Sequence, residues 1–309
     1  MKAMINKVYL EGILYDHNLE IKETGPNSKA PGTTYIRGTI NIATDDAGIN
    51  VVPVYYSYVT ETTSTGKKSA SFATLKSIVD GAVKTVIKDG KENAFKVRVD
   101  TAIAVNDFYD RNGALVTAKR NEGGFIHLED TFQKKTEAER NLFEVDMIIT
   151  NVRQLEANEE AKTPEKVIVK GCAFSYNKSL LPIELTATDP DAMNYFMDLG
   201  ASEKEPVFTK VWGPQVSTTI EREIVEESAF GNNKVKTVTT NRKEFIIAGA
   251  NREPYMWDDE STITAAELKD CIAKRETYLA TIKQRDEEYK ASASAPAAVS
   301  VPKNDGFAF

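Results

Sequence analysis

The first half of this chain alternates apolar and polar residues with a period of two, and then changes period once. That change constrains the fold more than any other feature. Residues 5–15 alternate, residues 34–42 alternate with many β-branched side chains, and residues 51–59 are dense in valine and tyrosine, so three strands are expected. A loop rich in turn formers, ETGPNSKAPGTT (residues 23–34), joins the first two, and TDDAG (residues 44–48) makes a tight turn between the second and third. Phe72, Leu75, Val79, Ala82 and Val86 then recur at three- and four-residue intervals, which predicts a helix over 69–82 weakening near Gly81. Strand patterns return at 95–109 and 143–152. The stretch between them reads as turns, a short extended piece at 125–128 and a polar connector.

Three strands, a helix and two strands is the order of a five-stranded, partly open barrel of the oligonucleotide-binding type. The expected fold class is therefore mainly β, with such a barrel over 1–156. ANEEAKTPEK (residues 157–166) divides the chain, and a second β-rich domain or sheet extension is expected over 166–257. Its extended candidates are 167–174, 205–225 and 235–248, with EESAFGNNK (residues 226–234) as a hairpin tip or loop. NKVYLEG (residues 6–12) and EKVIVKG (residues 165–171) are locally alike, a match that arises easily by chance between strands. Thr264 and Glu267 form a capping box with Ile263 and Leu268 at staple positions, opening a C-terminal helix over 261–290. Leu268, Ile272, Leu279 and Ile282 line one side of it and Arg275 interrupts that line. Residues 291–309 are short of packing residues and read as a disordered tail ending in an aromatic tip, Asp305, Phe307 and Phe309.

Enzyme readings find little support. His17 and His127 are the only histidines and sit in no metal-ligand spacing; Cys172 and Cys271 lie far apart and read as two reduced thiols. The carboxylates at Asp45 and Asp46, at Asp189–Asp191 and at Asp258–Glu260 read as turns and a solvated run. No phosphate loop, dinucleotide fingerprint or nucleophile elbow is present, so no catalytic residue, metal or cofactor is expected. No run of eighteen apolar residues occurs and the N-terminus reads as a first strand, so neither a membrane span nor a signal peptide is expected. A cytoplasmic protein follows, in the host cytoplasm if the source is viral. The net charge of -7 argues against gripping duplex DNA over the whole surface, but it allows one local basic surface.

Alternation supplies that surface. With Ile36, Ile40 and Ile42 inward, Tyr35 and Arg37 point outward; with Val8 and Leu10 inward, Lys7 and Tyr9 point outward; Lys96 and Arg98 do the same on the fourth strand. Rings for bases and cations for phosphates are what a sequence-tolerant single-strand surface needs. Exposed tyrosines also brace sheets through cross-strand pairs, and that reading competes at every position. Tyr55 adds aromatic density alongside Tyr56 and Tyr58. A second-ranked strand carries Phe208, Lys210 and Trp212 on one face, and Lys234, Lys236, Arg242 and Lys243 are a modest basic supplement offset by Glu221, Glu223, Glu226 and Glu227.

MINKVYLEGILYDHNLEIK (residues 4–22), a loop, and YIRGTINIATDD (residues 35–46) resemble the opening of bacterial and phage single-stranded DNA-binding proteins. The family's short first strand is matched by Met4, Asn6, Lys7, Val8 and Gly12, and its second strand by residues 39–46. Asp305, Phe307 and Phe309 resemble its partner-binding tip. The resemblance covers roughly residues 4–60 and the last few. The chain is long for that family, the acidic tip is reduced to Asp305, and ordinary members have no counterpart to the second half. It implies non-catalytic, sequence-tolerant protection of single-stranded DNA in replication or recombination, and the residues expected to carry it, from the strand patterns, are Lys7, Tyr9, Tyr35, Arg37, Tyr55, Lys96, Arg98, Lys210 and Trp212. It also implies recruitment of replication or recombination proteins by the tail. The competing expectation is a viral structural or assembly protein whose β-domains make protein contacts and whose C-terminal helix mediates self-association.

Overall fold

In the computed structural model, described over residues 4–158, 163–226, 230, 234–257 and 263–294, the chain forms two sheets and five helices among those residues. The first strands are β1 (Asn6–His17), β2 (Glu20–Glu23), β3 (Thr34–Ala43) and β4 (Val51–Thr60), followed by helices α1 (Ala70–Val79) and α2 (Val86–Asp89). Then come β5 (Lys96–Tyr109), β6 (Leu115–Glu129), the short helix α3 (Glu137–Arg140), β7 (Asn141–Leu155), β8 (Lys166–Phe174) and β9 (Leu180–Ala187). The rest is α4 (Pro190–Asp198), β10 (Val207–Gly213), β11 (Gln215–Glu226), β12 (Lys234–Phe245), β13 (Gly249–Ala250) and α5 (Ala265–Ser294).

Local chemistry explains several boundaries. Ser69 accepts a hydrogen bond from the Phe72 amide and starts α1, and Gly81, at φ +77°, lets the chain leave it. Asp189 caps α4 by accepting from the amides of Asp191 and Ala192, with Pro190 in the first turn; this is the role of the DPD acids. Thr264 and Glu267 bond each other's backbone amides at the head of α5, as their spacing predicts. The inward residues Leu10, Leu14, Ile36, Ile40, Ile42, Val97 and Val99 are all fully buried, in one core with Leu75 and Ile78 of α1. Each contributes on the order of 1.5–3 kcal/mol by leaving water.

The expected fold class needs correction. The molecule is not a five-stranded oligonucleotide-binding barrel with a second β-rich region; it is a mixed sheet containing a five-strand hydrogen-bond ring, plus helices. The ring runs β1–β3–β4–β6–β5 and back to β1, with β4 and β6 parallel and the other pairs antiparallel. Its last strand is β6, of which the sequence marks only residues 125–128 as extended, and the 143–152 strand lies outside it. The reason is burial. On β6 only Asn121 and Ile126 are buried, and Gly123 and Gly124 break the strand, so no alternation marks it. On β7, five consecutive residues from Val145 to Ile149 are buried, because β7 bonds to β1, β8 and β10 in the interior of an eleven-stranded sheet.

A second circuit of pairings repeats this order. β7 pairs with β8, β8 with β9, and β10 with β7, all antiparallel. Thr186 of β9 bridges Ile246 in parallel, and residues 246–250 run antiparallel to β10 through Ala248 to Trp212 and the β10–β13 pair. A helix again separates the third and fourth strands, α1 in one circuit and α4 in the other. Each circuit also sends out a hairpin arm between its last two strands: the distal halves of β5 and β6, and the β11–β12 pair. The likeness of NKVYLEG and EKVIVKG does not follow the repeat, since it matches β1 with β8 while the order matches β1 with β7.

Each arm is fastened to the opposite circuit by polar groups. Gln215, at the root of β11, exchanges side-chain amide hydrogen bonds with Asn121 at 2.8 and 3.2 Å. Its backbone exchanges bonds with the Asn141 amide at 2.6 and 3.1 Å. From the other arm, Lys119 donates to the Glu184 carbonyl and stands 4.3 Å above the Phe245 ring.

Two predictions follow from this packing. A Cβ at Gly12 would lie 2.0 Å from the Ala43 carbonyl oxygen, on the closing β1–β3 pair. Gly12→Ala is expected to destabilise by about 1–3 kcal/mol or more, read as a lower urea midpoint, while Gly25→Ala, where nothing lies within 4 Å, leaves it unchanged. Burial holds the Lys119 ammonium down to about 8. Between that value and the unfolded 10.5 the unfolded chain binds the extra proton, so stability rises with pH there. Wild type is therefore expected to gain stability relative to Lys119→Met from about pH 8 to pH 10; parallel curves would contradict this.

Candidate nucleic-acid interface

The outer face of β3 and β4 is shaped by a bulge. The β3–β4 register shifts between Ile36 and Gly38, and Gly38 takes φ +133°. A Cβ there would lie 2.6 Å from the Asn18 carbonyl oxygen, so only glycine lets the turn after β1 press against β3. Asn18 secures that turn by accepting from the Thr39 amide at 2.6 Å. Ile36 and Ile40 thus stay buried while Arg37 stands outside, half-exposed, its Nε 3.8 Å from Glu20. An exposed pair at that distance holds the guanidinium only weakly.

Tyr55 of β4 lies beside Thr39 and Glu122. The Arg120 guanidinium is 5.4 Å from its ring centroid and is oriented by Glu122, with Nη2 to Oε2 at 2.8 Å and Nε at 3.1 Å. Glu122 is itself tied to the Ser57 hydroxyl. Tyr35 and Tyr58 form a tilted pair with centroids 4.7 Å apart, and Tyr58 is about half exposed. A trough of about 550 Å³ runs between this face and the β11–β12 arm, with Tyr15, Asn41, Tyr55, Thr218 and Lys243 on its walls. A depression of about 400 Å³ at Arg37, Ser57 and Arg120 continues it, and Tyr55 stands where the two meet. Lys243 is exposed and has no carboxylate within 4 Å among the described residues. Asp16, Glu20 and Glu122 flank the trough, so its charge is balanced and its cations are local.

The other sequence candidates stand elsewhere. Tyr9 donates to Glu11 at 3.1 Å, and Lys134 sits 5.7 Å over its ring. Glu11 is fully buried and accepts the backbone amides of Gln133 and Lys134, so this group pins the 130–136 loop. Burial, then the Glu11 carboxylate, push the Tyr9 phenol up. Arg98 is held by Glu129 at 3.2 Å and by Asp100. Lys96 donates to the Asp130 carbonyl at 2.9 Å. Lys210 bonds Glu144 at 3.0 Å, a contact that raises its pKa, and lies 5.7 Å over Trp212. Trp212 packs on Gly249, where a Cβ would be 2.5 Å from the indole. Lys7 is exposed, opposite Glu144 in register. Asp305, Phe307 and Phe309 lie outside the described residues.

The structure thus brings Arg37 and Tyr55 together, sets Tyr35 against Tyr58, and leaves the other six candidates apart from them. It adds Arg120 beside Tyr55. Arg120 was legible only as part of a Lys-Arg pair in the polar connector. Among the described residues no group of three or more His, Cys, Asp or Glu side chains could hold a metal ion, and no helix is long and apolar enough to cross a membrane.

Comparison with known proteins sets this geometry in a family. The family model described as YorF matches residues 5–285. No curated protein matches. A crystal structure of a deletion mutant of the single-stranded DNA binding protein from Thermus aquaticus is similar at 11% identity and a TM-score of 0.46, over 84% of this chain and 100% of that one. It is a distant structural match. Because the family model spans most of the 309 residues, the chain belongs to the YorF family.

Proposed function

We propose that this protein binds single-stranded DNA with little sequence preference and without changing it covalently, as an accessory of replication or recombination. The observation that carries the reading is that Tyr55 and Lys243 line an open trough while Arg37 and Arg120 line the depression that continues it from Tyr55. A ring beside guanidinium groups suits any unpaired base, because every base has a π-face; stacking of this kind contributes about 1–3 kcal/mol per base. A duplex hides those faces and would meet an acidic surface around a small basic one. Tyr35 and Tyr58 extend the platform along β3 and β4. The tail tip, Asp305, Phe307 and Phe309, is proposed to recruit replication or recombination proteins. Lys7, Tyr9, Lys96, Arg98, Lys210 and Trp212 are secondary candidates under the same reading.

A second reading, contact between proteins in an assembly, is favoured by Ile272 and Tyr278, which α5 presents at 44% and 50% exposure. Light scattering across a concentration series measures that association.

Fluorescence anisotropy with a labelled mixed-sequence strand of about thirty bases tests the leading reading. Salt-sensitive binding to the strand and not to its duplex is expected. Three trough cations imply a slope of log K against log salt of about -2, from roughly 0.7 per phosphate contact. Arg37→Ala with Tyr55→Ala is expected to weaken binding by about 10- to 100-fold with the thermal midpoint unchanged. Absence of binding at low salt and micromolar protein, or equal affinity for duplex, would overturn the proposal.

A further inference from the structure

The chain has two cysteines, far apart in sequence, and the fold brings both into one small cluster. Cys172 stands on the face of β8 opposite the main core, into which Val169 and Ala173 pack. In register it is flanked by Ile148 of β7 and Pro182 of β9, and Phe208 of β10 lies beyond Ile148. The segment that opens α5 covers this row: Ile263, Leu268 and Cys271 pack in one cluster with Ile148, Cys172 and Phe208. Both thiols are free and buried, at 8% and 6% exposure. Burial, then the charge that Cys271 would carry, push the Cys172 thiol up to about 12.

The two thiols differ in access. A cleft of about 630 Å³ lies between the β8–β9 turn, residues 175–179, and the β5–β6 arm at Val105 and Asp107. It is the equivalent of the trough, since in both places the turn joining the second and third strands of one circuit faces the arm of the other. Helix α5 forms its remaining wall, and Cys271 is part of that wall whereas Cys172 is not. Polar contacts keep Cys271 in place. Its Sγ donates to the Lys178 carbonyl at 3.6 Å. One turn further on, Arg275 makes a two-pronged ion pair with Asp107 at 2.8 and 3.2 Å, and the Asp107 side chain is 1% exposed. A helix held on both sides of Cys271 keeps that residue against β8.

We propose that Cys172 and Cys271 are an oxidation site, closed into an intramolecular disulfide by a peroxide that enters the cleft, so that α5 becomes bonded to β8. The Cys271 sulfur attacks one peroxide oxygen and the O–O bond breaks. The departing oxygen takes the thiol proton and leaves as water, and Cys271, oxidised by two electrons, is a sulfenic acid. The Cys172 sulfur then forms the S–S bond and displaces the sulfenic oxygen, which leaves with the Cys172 proton as a second water. Two thiols and one peroxide thus give one disulfide and two waters. The bond closes a loop of about a hundred residues and restricts the unfolded chain accordingly. The site is independent of the trough and of what the trough binds.

The test treats the full chain, at low micromolar concentration, with hydrogen peroxide for a day. The protein is then denatured, alkylated with iodoacetamide and weighed by mass spectrometry. Neither cysteine is expected to be alkylated, and a single Cys172–Cys271 linked peptide pair is expected, reversed by a reductant. The thermal midpoint of the oxidised chain is expected to rise by about 5–10 °C. Cys172→Ala is expected to stop at a sulfenic acid on Cys271 that dimedone traps, and Cys271→Ala to retain its Cys172 thiol. Alkylation of both cysteines in the treated wild type would overturn the proposal. So would oxygen adducts on Cys271 without an S–S bond, or thiols lost only to links between chains.

Discussion

The fold depends on strand β1 holding three partners at once. Its first half bonds to β7 on one edge and β5 on the other, and its second half closes on β3. The switch of partner needs the register shift between Leu14 and Asp16, and it needs two backbones to touch at Gly12. Any side chain at Gly12 would meet the Ala43 carbonyl. Closure at that point completes the five-strand ring, whose β3 and β4 carry Arg37 and Tyr55.

From β1 the sheet continues through β7 into a second circuit with the same sequence of pairings. The arms then cross over. Asn121 and Gln215 exchange hydrogen bonds in a buried setting, where leaving one partner unmade costs about 1–3 kcal/mol. That cost fixes the β11–β12 root against the ring and so sets the walls of the trough. At the other end, the Asp107–Arg275 pair fixes α5 across the equivalent cleft. Two chemically different fasteners, neutral amides in one place and a buried ion pair in the other, hold the walls of the two clefts.

Much of this was legible in the sequence, for reasons that can be named. β1, β3, β4 and β5 alternate because each has one face on the core, and α1 and the head of α5 carry their caps at the required spacing. Most of β6 was not legible because only Asn121 and Ile126 are buried along it and two glycines interrupt it. That single omission assigned the ring's last position to the wrong strand. Within the site, Arg37 could be read from alternation and Tyr55 only as aromatic density, but Arg120 could not be read at all, since it lies on the missing strand. Alternation set Tyr9 and Arg98 on the face opposite Val8, Leu10, Val97 and Val99, yet it could not show that Glu11, two residues on, and Glu129, across the β5–β6 pair, engage them. The second pairing is a property of register, and register is written in no single segment. Arg275 was read as a flaw in an apolar stripe; its partner, Asp107, lies 168 residues away.

The most direct test of the central claim is where a strand touches the protein. Ultraviolet cross-linking of a thymine-rich single strand, followed by peptide mapping, reports the rings that bases stack on. The account predicts cross-links concentrated on the peptides carrying Tyr55 and the Tyr35–Tyr58 pair, abolished by excess unlabelled single strand and unaffected by duplex. Cross-links spread over the Tyr9 or Trp212 peptides with none at Tyr55 would contradict it.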